Sequence, residues 1–394
     1  MGILANSVSI CHFRVTGDLP GQQEMFEWVS QRLSLHGFRS IDETAEEMST
    51  GWVQVDDHRD GSFSVPTAFW RDHYLVFTLR RDQRRVPASI LKAHVQEATL
   101  AFLQANPGMH RVPKQRREEI KDNVRLALLA RTFAVPSTYD AVWDTRSGIL
   151  TFTSLSTKTV DVFEGLFKKT FDGLRLVALH PMARAESLVD EALLPTLQSL
   201  NQASTEAVLD LIKSNQWLGS DFLLWLMHRC MNGVCTCQVT RTGHSTEGEE
   251  FVAYLNDRLI LFGGGEGGVQ KVTVAGPQDH FREVLAALHS GKRIAEATLY
   301  LEQEENVWRM TLKGETFHLG SFRSPAVKIE KDDTVDERSE REAVFYERMY
   351  LLEKGLQLFD SLFGQFLQER LGEGWAEREE QIAQWVAAGL PSPD

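Results

Sequence analysis

Basic side chains recur along the segment 111–131 at spacings suited to contacts with phosphate groups. The cations of this segment are Arg111, Lys114, Arg116, Arg117, Lys121, Arg125 and Arg131. At 100° per residue of an α-helix, Lys114, Arg117, Lys121 and Arg125 share one face. Ile120, Val124 and Ala127 form a neighbouring apolar stripe that could dock the helix on a core. The pattern predicts a helix with one cationic face, which is either simply solvated or turned toward nucleic acid.

A second basic cluster precedes this helix, at the end of a strand predicted over residues 73–79. Its members are Arg80, Arg81, Arg84 and Arg85. Guanidinium groups at this position could contact DNA phosphates, and such contacts position a protein without reading the base sequence. A solubilising loop has the same composition, so these residues alone leave both interpretations open.

The charge of the chain is unevenly distributed. The formal net charge is −13, yet residues 66–133 carry thirteen Lys or Arg against six Asp or Glu, a local excess of seven positive charges. A basic surface within an acidic body is compatible with DNA binding confined to one face or channel. An acidic enzyme with one basic helix would show the same asymmetry.

Composition narrows the class of protein. A chain of 394 residues with 42% hydrophobic and 25% charged residues is typical of a multidomain globular protein. We expect no membrane span, because no apolar run approaches the length that one needs. The N-terminus lacks the pattern of a signal peptide, and four cysteines do not make a disulfide scaffold. These features favour a reducing cytoplasm.

The elements around the basic helix predict a small α+β unit. The helix should end at 131–133, since Pro136 cannot continue it. A hairpin is predicted over 140–144 and 149–153, followed by a helix over 156–171 that ends at Gly173, and by a strand over 174–179. The buried side of that second helix would carry Val160, Phe163, Leu166 or Phe167, and Phe171.

The rest of the chain divides into further predicted parts. Residues 1–182 form the N-terminal region, with a strand over 7–15 and helices over 22–35 and 90–104. Residues 183–328 are helical to about 220 and then strand-rich, and residues 329–394 hold an acidic linker and C-terminal helices. In the helix predicted over 340–371, a spacing of four and three residues predicts a buried stripe of Leu352, Leu356, Phe359, Phe363 and Phe366. Whether this stripe packs within the subunit or on a partner is left open.

Three weaker motifs have ordinary explanations. Glycines at 263–268 satisfy the G-x-G-x-x-G pattern, but the residues that follow predict a strand where a phosphate-binding loop would open a helix, so we predict a hairpin turn. His228, Cys230, Cys235 and Cys237 lack the usual zinc spacing, which favours core packing over a metal site. The acidic side chains of Asp332, Asp333, Asp336 and Glu337 suggest a nuclease only superficially, and a solvated loop fits them better. We predict no catalytic residue, no metal and no cofactor.

Several short segments, taken in order, resemble the RdgC family of bacterial recombination-associated proteins. They are RREEIKDNV at 116–124, LLARTF at 128–133, VWDT at 142–145, GIL at 148–150 and residues 174–181, together with GWV at 51–53 and the helix segment 356–366. The resemblance covers residues 1–182 and returns over about 270–372, whereas 190–265 has little counterpart in shorter members. In the turn 275–279, where relatives carry lysine, this chain has Gly276 and Pro277.

The resemblance implies a fold and a function. The fold would be α+β, with mixed antiparallel sheets and helices in an elongated multi-part subunit that forms a ring-shaped homodimer. The ring would encircle double-stranded DNA, or bind single-stranded DNA, without marked sequence preference, and would restrain the RecA recombinase in the nucleoid.

Phe133 lies where the family places an aromatic near the DNA channel, so it is a candidate wedge against a base step. The alternative is that Phe133 caps the core beneath Pro136. Other functions left open are a metal-dependent exonuclease and a recombinase-binding protein with little DNA contact.

Overall fold

The structure is a computed structural model that describes residues 2–44, 46–233, 235–265, 268–276, 281–328 and 336–388. These residues form an α+β fold. The strands are β1 (Ser7–Thr16), β2 (Met48–Val53), β3 (Trp70–Arg71), β4 (Tyr74–Gln83), β5 (Val135–Asp144), β6 (Ile149–Phe152), β7 (Arg175–Ala178), β8 (Thr236–Gln238), β9 (Glu250–Gly265), β10 (Gly268–Ala275), β11 (Arg293–Gln303), β12 (Asn306–Lys313) and β13 (His318–Arg323). The helices are α1 (Gln22–Leu35), α2 (Ala88–Ala105), α3 (Lys114–Leu129), α4 (Thr157–Thr170), α5 (Pro181–Leu188), α6 (Leu194–Ser199), α7 (Val208–Ser214), α8 (Trp217–Met231), α9 (Arg282–His289), α10 (Glu337–Leu371) and α11 (Trp375–Ala388).

The chain folds into two compact units. The larger unit comprises residues 1–16, 148–160 and 176–394, and the smaller unit comprises residues 17–147 and 161–175. Both are discontinuous in sequence, because the chain leaves the larger unit after β1 and re-enters it just before β6. The division at residues 182 and 328 that the sequence suggested stays a prediction. In the part of the chain that the structure describes, no helix is both long and apolar enough to cross a membrane.

The smaller unit is built on an antiparallel sheet of β2, β4 and β5, with β4 in the centre and β3 paired to its start. Leu75, Phe77 and Leu79 share one face of β4, because residues two apart on a strand point the same way. Trp52 of β2 pairs with Leu79, and Trp143 of β5 pairs with Leu75, so Trp52, Phe77 and Trp143 project to the same side of the sheet. Three phenylalanines cover this side: Phe163 and Phe167 of α4, and Phe171 just beyond its end. The indole N–H of Trp52 donates to the Thr170 hydroxyl at 2.7 Å. The buried position is therefore Phe167, and Leu166 is only half-buried.

The larger unit contains an antiparallel sheet in the strand order β10-β9-β11-β12-β13-β1-β6, with β8 paired to the outer part of β9. Helices α8 and α10 supply an aromatic core with Phe222, Phe359 and Phe363 in mutual contact. The predicted stripe of α10 is confirmed as buried, apart from the half-buried Leu356, and it packs within its own chain. Trp308 of β12 donates to the carbonyl of Leu351 at 2.7 Å, which fixes the helix against the sheet.

Three elements of the larger unit differ from the sequence prediction. Helix α8 continues to Met231, although we expected helix only to about 220; its apolar residues occupy most of its circumference and give no clear periodicity. Strand β9 runs unbroken where the sequence predicts two strands, over 251–255 and 258–262, because a register shift at Asp257, with φ of +61°, accommodates the apparent break. Strand β13, which contains Gly320 and Ser321, was not predicted.

Candidate nucleic-acid interface

The basic segment forms the second helix of a helical hairpin in the smaller unit. Helix α2 has no buried side chain, and in α3 only Leu129 is buried. The two helices pack on each other, with the Arg116 guanidinium over the Phe102 ring at 5.5 Å. Ile120 and Val124 of α3 are half-buried, as the predicted apolar stripe requires, although Ala127 is exposed. The structure confirms the predicted helix and the exposure of its cationic face. The helix ends at Leu129, two residues before the predicted end at 131–133.

Most cations of the hairpin and its flanks are exposed and have no anionic partner in the described residues. Six side chains belong to this group, and we call them the hairpin cations: Arg85, Arg111, Lys114, Arg117, Lys121 and Arg131. Glu118 is the carboxylate that interrupts their side of α3, and the helix as a whole carries five cations against three anions. Unpaired exposed cations keep their full charge available for an external anion.

Two further cations of α3 already have carboxylate neighbours. Arg116 contacts Glu119 at 2.5 Å, one turn along the helix, and Arg125 contacts Glu47 at 2.7 Å. Both side chains stay about half exposed, at 52% and 49%. Exposed pairs of this kind contribute ~0–1 kcal/mol, so either arginine could exchange its partner for a phosphate at small cost.

The arginine cluster of β4 is separated by the structure. Arg80 forms a two-pronged ion pair with Asp82, at 2.8 and 2.7 Å, and lies over the Phe38 ring. The hydrogen bonds to Asp82 raise the pKa of Arg80 above its ordinary value. Arg84 is buried, and its guanidinium donates to the carbonyls of Ile41, Asp42 and Thr44. Both arginines therefore hold the smaller unit together and lie outside the interface that we propose.

The remaining two members of that cluster differ in exposure. Arg81 is half-buried, and its Nε lies 3.2 Å from the Met48 sulfur. Arg85 is exposed and belongs to the hairpin cations. The period of two along β4 predicts that Arg80 and Asp82 share a face, and this signal could have identified their pairing. No local signal identifies Arg84, because the carbonyls that it binds lie about forty residues earlier in the chain.

Phe133 lies between α3 and β5 with its side chain in solvent. Its residue exposure is 90%, and the following Val135 is 62% exposed. Such exposure excludes the alternative in which Phe133 caps the core beneath Pro136. Burial of a phenylalanine side chain is worth ~1.5–3 kcal/mol, so an exposed ring is available for contact with another molecule. Its role as a wedge stays a prediction.

Other exposed apolar side chains lie on and around the hairpin, and we call them the hairpin apolar residues. They are Ile90, Leu100, Met109 and Leu126, with exposures of 45%, 54%, 45% and 59%. The apolar composition of α2 is equally typical of a core helix, so the sequence does not predict this exposure. Apolar side chains exposed to solvent in one part of a fold favour contact with another protein.

The glycine-rich segment joins two strands, as predicted. Strand β9 ends at Gly265 and β10 begins at Gly268, with these two residues paired in an antiparallel register. Residues 266 and 267 lie outside the described residues, as do Pro277 and the rest of the turn at 277–280. A phosphate-binding loop would require a helix where β10 stands, so the hairpin prediction is confirmed.

The cysteines of the larger unit pack against backbone carbonyls. The thiols of Cys230 and Cys235 lie 3.3 Å from the Ala253 carbonyl and 3.8 Å from the Cys230 carbonyl, respectively. Cys237 is buried at 3% exposure. In the described part of the chain, no three side chains of His, Cys, Asp or Glu are grouped to hold a metal ion. The acidic residues Asp332 and Asp333 lie outside that part.

We expect the Cys237 thiol to react slowly in the folded protein. Burial raises its pKa to about 11, which reduces the reactive thiolate at neutral pH by ~100-fold relative to an unperturbed thiol. Mass spectrometry of iodoacetamide-treated protein, native and urea-unfolded, measures this. Labelling of native Cys237 at the unfolded rate would contradict the packing described above.

The comparisons with known proteins match the half of the chain that contains the hairpin. Residues 9–193 match the family model described as "Putative exonuclease, RdgC". This segment of the chain is therefore similar to the RdgC family. A relative from Cupriavidus pinatubonensis, named "Recombination-associated protein RdgC", is 29% identical over 153 residues, which are 39% of this chain. The match spans 48% of that relative, or about half its length. The hairpin lies inside the RdgC family segment, whereas α8 to α11 lie beyond it.

Proposed function

We propose that the chain binds double-stranded DNA without marked sequence preference, through phosphate contacts of the hairpin cations. The observation that carries this proposal is the set of six exposed cations without described anionic partners, gathered on one helical hairpin of an otherwise acidic chain. Lysine and arginine side chains that neutralise phosphates release condensed counterions, and this supplies most of non-specific affinity. Contacts with phosphates carry no direct base information, which fits a sequence-tolerant protein.

The biological role that we propose is in DNA recombination. The match of residues 9–193 to the RdgC family model and the name of the relative from Cupriavidus pinatubonensis support it. The protein would form a homodimeric ring around the duplex in the nucleoid and restrict access of a RecA-type recombinase. The hairpin apolar residues support a contact between two copies, because exposed apolar side chains favour association.

Light scattering with and without a short duplex, across a salt series, tests both parts of the proposal. We expect a dimer at all salt concentrations, because apolar contacts are insensitive to screening, and a protein–DNA complex that dissociates as salt rises. A monomer at every salt concentration would contradict the ring.

A strand-exchange assay with a RecA-type recombinase tests the proposed restraint of recombination. The expected result is slower strand exchange when this protein is bound to the duplex before the recombinase is added.

Phe133 provides a specific test of the wedge. We expect Phe133→Ser to leave the unfolding free energy within about 0.5 kcal/mol of the original, because the ring is exposed. Duplex affinity should fall several-fold, since a polar side chain does not press on a base step. Fluorescence anisotropy with a labelled duplex measures the affinity, and Leu209→Ser, at an exposed leucine of the larger unit, is the matched control. Equal affinities of the original and the Phe133→Ser protein would remove Phe133 from the interface.

A metal-dependent exonuclease is the second candidate, and the wording of the family description favours it. Of its acidic candidates, Asp336 caps α10 by accepting from the backbone N–H groups of Arg338 and Ser339, both at 3.0 Å. These hydrogen bonds hold the pKa of Asp336 below its ordinary value. Incubation with labelled linear DNA and Mg²⁺ or Mn²⁺ distinguishes the candidates, because sustained degradation supports the nuclease.

A pull-down with a recombinase after nuclease treatment tests the third possibility, a protein contact with little DNA binding.

A further inference from the structure

A cleft of about 710 Å³ lies in the larger unit, and none of its lining residues belongs to the hairpin cations or the hairpin apolar residues. Its walls come from the first turns of α8, the C-terminal end of α9, the start of β11 and one side of α11. Every lining residue lies beyond residue 193, so the cleft is outside the segment that matches the RdgC family. Its volume falls within the range of small-molecule sites, which is ~300–1,000 Å³.

Part of the cleft lining is apolar. Leu224, Leu288, Ile294, Ile382 and Val386 contribute to it from four different elements. Trp217 also lines the cleft, and the Arg370 guanidinium lies 4.7 Å from the centre of its ring. Apolar surface assembled from several elements around an aromatic side chain suits a flat organic group.

Three cations also line the cleft. They are Lys213, Lys292 and Arg293, and none of them forms an ion pair within 4.0 Å of a described carboxylate. The Lys292 ammonium group donates to the Ser290 hydroxyl at 2.9 Å, which positions it without neutralising it. Two carboxylates line the cleft, Asp221 and Glu379. Asp221 pairs with Arg370 at 3.2 Å and also interacts electrostatically with Arg293, so the cations outnumber the carboxylates that remain for them.

We propose that this cationic cleft binds a nucleoside phosphate. An apolar ligand would make no use of the three lining cations, and inorganic phosphate would leave the apolar side chains and Trp217 exposed to water. A nucleoside phosphate offers both kinds of contact, a base for the apolar side chains and phosphates for Lys213, Lys292 and Arg293. Charge-assisted hydrogen bonds from lysine and arginine to phosphate oxygens are among the strong polar contacts in proteins. The site is independent of the hairpin, so it adds to the proposed DNA binding and does not rest on it.

Isothermal titration calorimetry of the full chain with ADP, adenosine and inorganic pyrophosphate tests the proposal. We expect ADP to bind more tightly than either adenosine or pyrophosphate alone, because each of these makes only one of the two kinds of contact, apolar or charged. Absence of heat with millimolar ADP would overturn the proposal. Equal affinities for ADP and pyrophosphate would also overturn it, since they would indicate an anion site with no selection for the nucleoside.

Variants locate the site. Lys292→Glu with Arg293→Glu should weaken ADP binding by at least about tenfold, since it replaces two attractive charges by repulsive ones. The control is Lys271→Glu with Arg323→Glu, the same charge change at exposed positions of the same unit outside the cleft. Ala383→Trp fills the cleft from the exposed side of α11 without changing charge, and should also abolish binding while the melting temperature is kept. Unchanged ADP affinity in both cleft variants would contradict the assignment.

Discussion

Arg117→Glu with Lys121→Glu should weaken duplex binding strongly and leave the fold intact. Both side chains are exposed on α3 and make no described ion pair, so neither holds the smaller unit together. The change removes two phosphate contacts and adds two charges that repel the duplex. At ~0.1 M salt we expect the dissociation constant to rise by about two orders of magnitude or more. Fluorescence anisotropy with a labelled duplex measures it, and circular dichroism checks the fold.

The matched control for this experiment is Lys168→Glu with Lys169→Glu on α4. These lysines are also exposed in the smaller unit, and their reversal changes the net charge by the same amount. If affinity depends on the hairpin cations, the control keeps nearly all of it. Equal losses in both proteins would show that total charge, not its position on α3, governs binding, and the proposed interface would be wrong.

Acidification should destabilise the larger unit strongly, because two of its histidines are held neutral. Burial, with the nearby charges of Arg184 and His318, lowers the pKa of His12 from 6.5 to about 3. Burial, with the nearby charge of Lys313, lowers the pKa of His318 to about 4. The Nε2 atom of His12 is buried and has no described hydrogen-bond partner, which agrees with a ring that cannot hold a second proton.

The direction of the effect follows from proton binding. Below pH 6.5 the unfolded chain protonates both imidazoles, whereas the folded chain does not do so until the pH approaches 3–4. The contribution of these histidines is therefore complete above pH 6.5 and is lost as the pH falls. Between pH 8 and pH 5 the loss is about 2 kcal/mol for each histidine, or about 4 kcal/mol together.

Urea unfolding at pH 8 and pH 5 measures this loss. His12→Leu should halve the pH dependence, because a leucine binds no proton in either state. His318→Gln should do the same at the other position, and it provides an independent test if the His12 variant folds poorly. A wild-type unfolding free energy that stays constant between pH 8 and pH 5 would contradict the buried, neutral state of both rings.

The sequence predicts the elements of the smaller unit well, because their patterns are local. Helix α1 has the predicted bounds, and α2 to α4 begin and end within a few residues of the predicted positions. Periodicity in α3 also predicts which cations share a face. The buried state of Arg84 could not be predicted, because it depends on carbonyls brought close by the loop before β2. Tertiary contacts, not residue type, decide which arginines remain exposed and without an anionic partner.

The exposure of Phe133 could not be predicted from the sequence either. An aromatic residue three positions before a proline is typical of a buried site by residue type, and only the surrounding chain determines that no core lies there. In the larger unit, α8 was recognised only in its first residues, because a helix buried on most sides lacks amphipathic periodicity. The cationic cleft combines side chains from α7, α8, α9, β11 and α11, so no local sequence motif predicts it.

Duplex affinity as a function of salt tests the central claim most directly. If the hairpin cations bind phosphates, a plot of log affinity against log salt concentration should be linear with a slope of about −5 or steeper, since each phosphate contact contributes about −0.9. The slope for the Arg117→Glu and Lys121→Glu protein should be shallower by about two. A slope between zero and about −1 for the original protein would mean that few phosphates are neutralised, and would contradict the account.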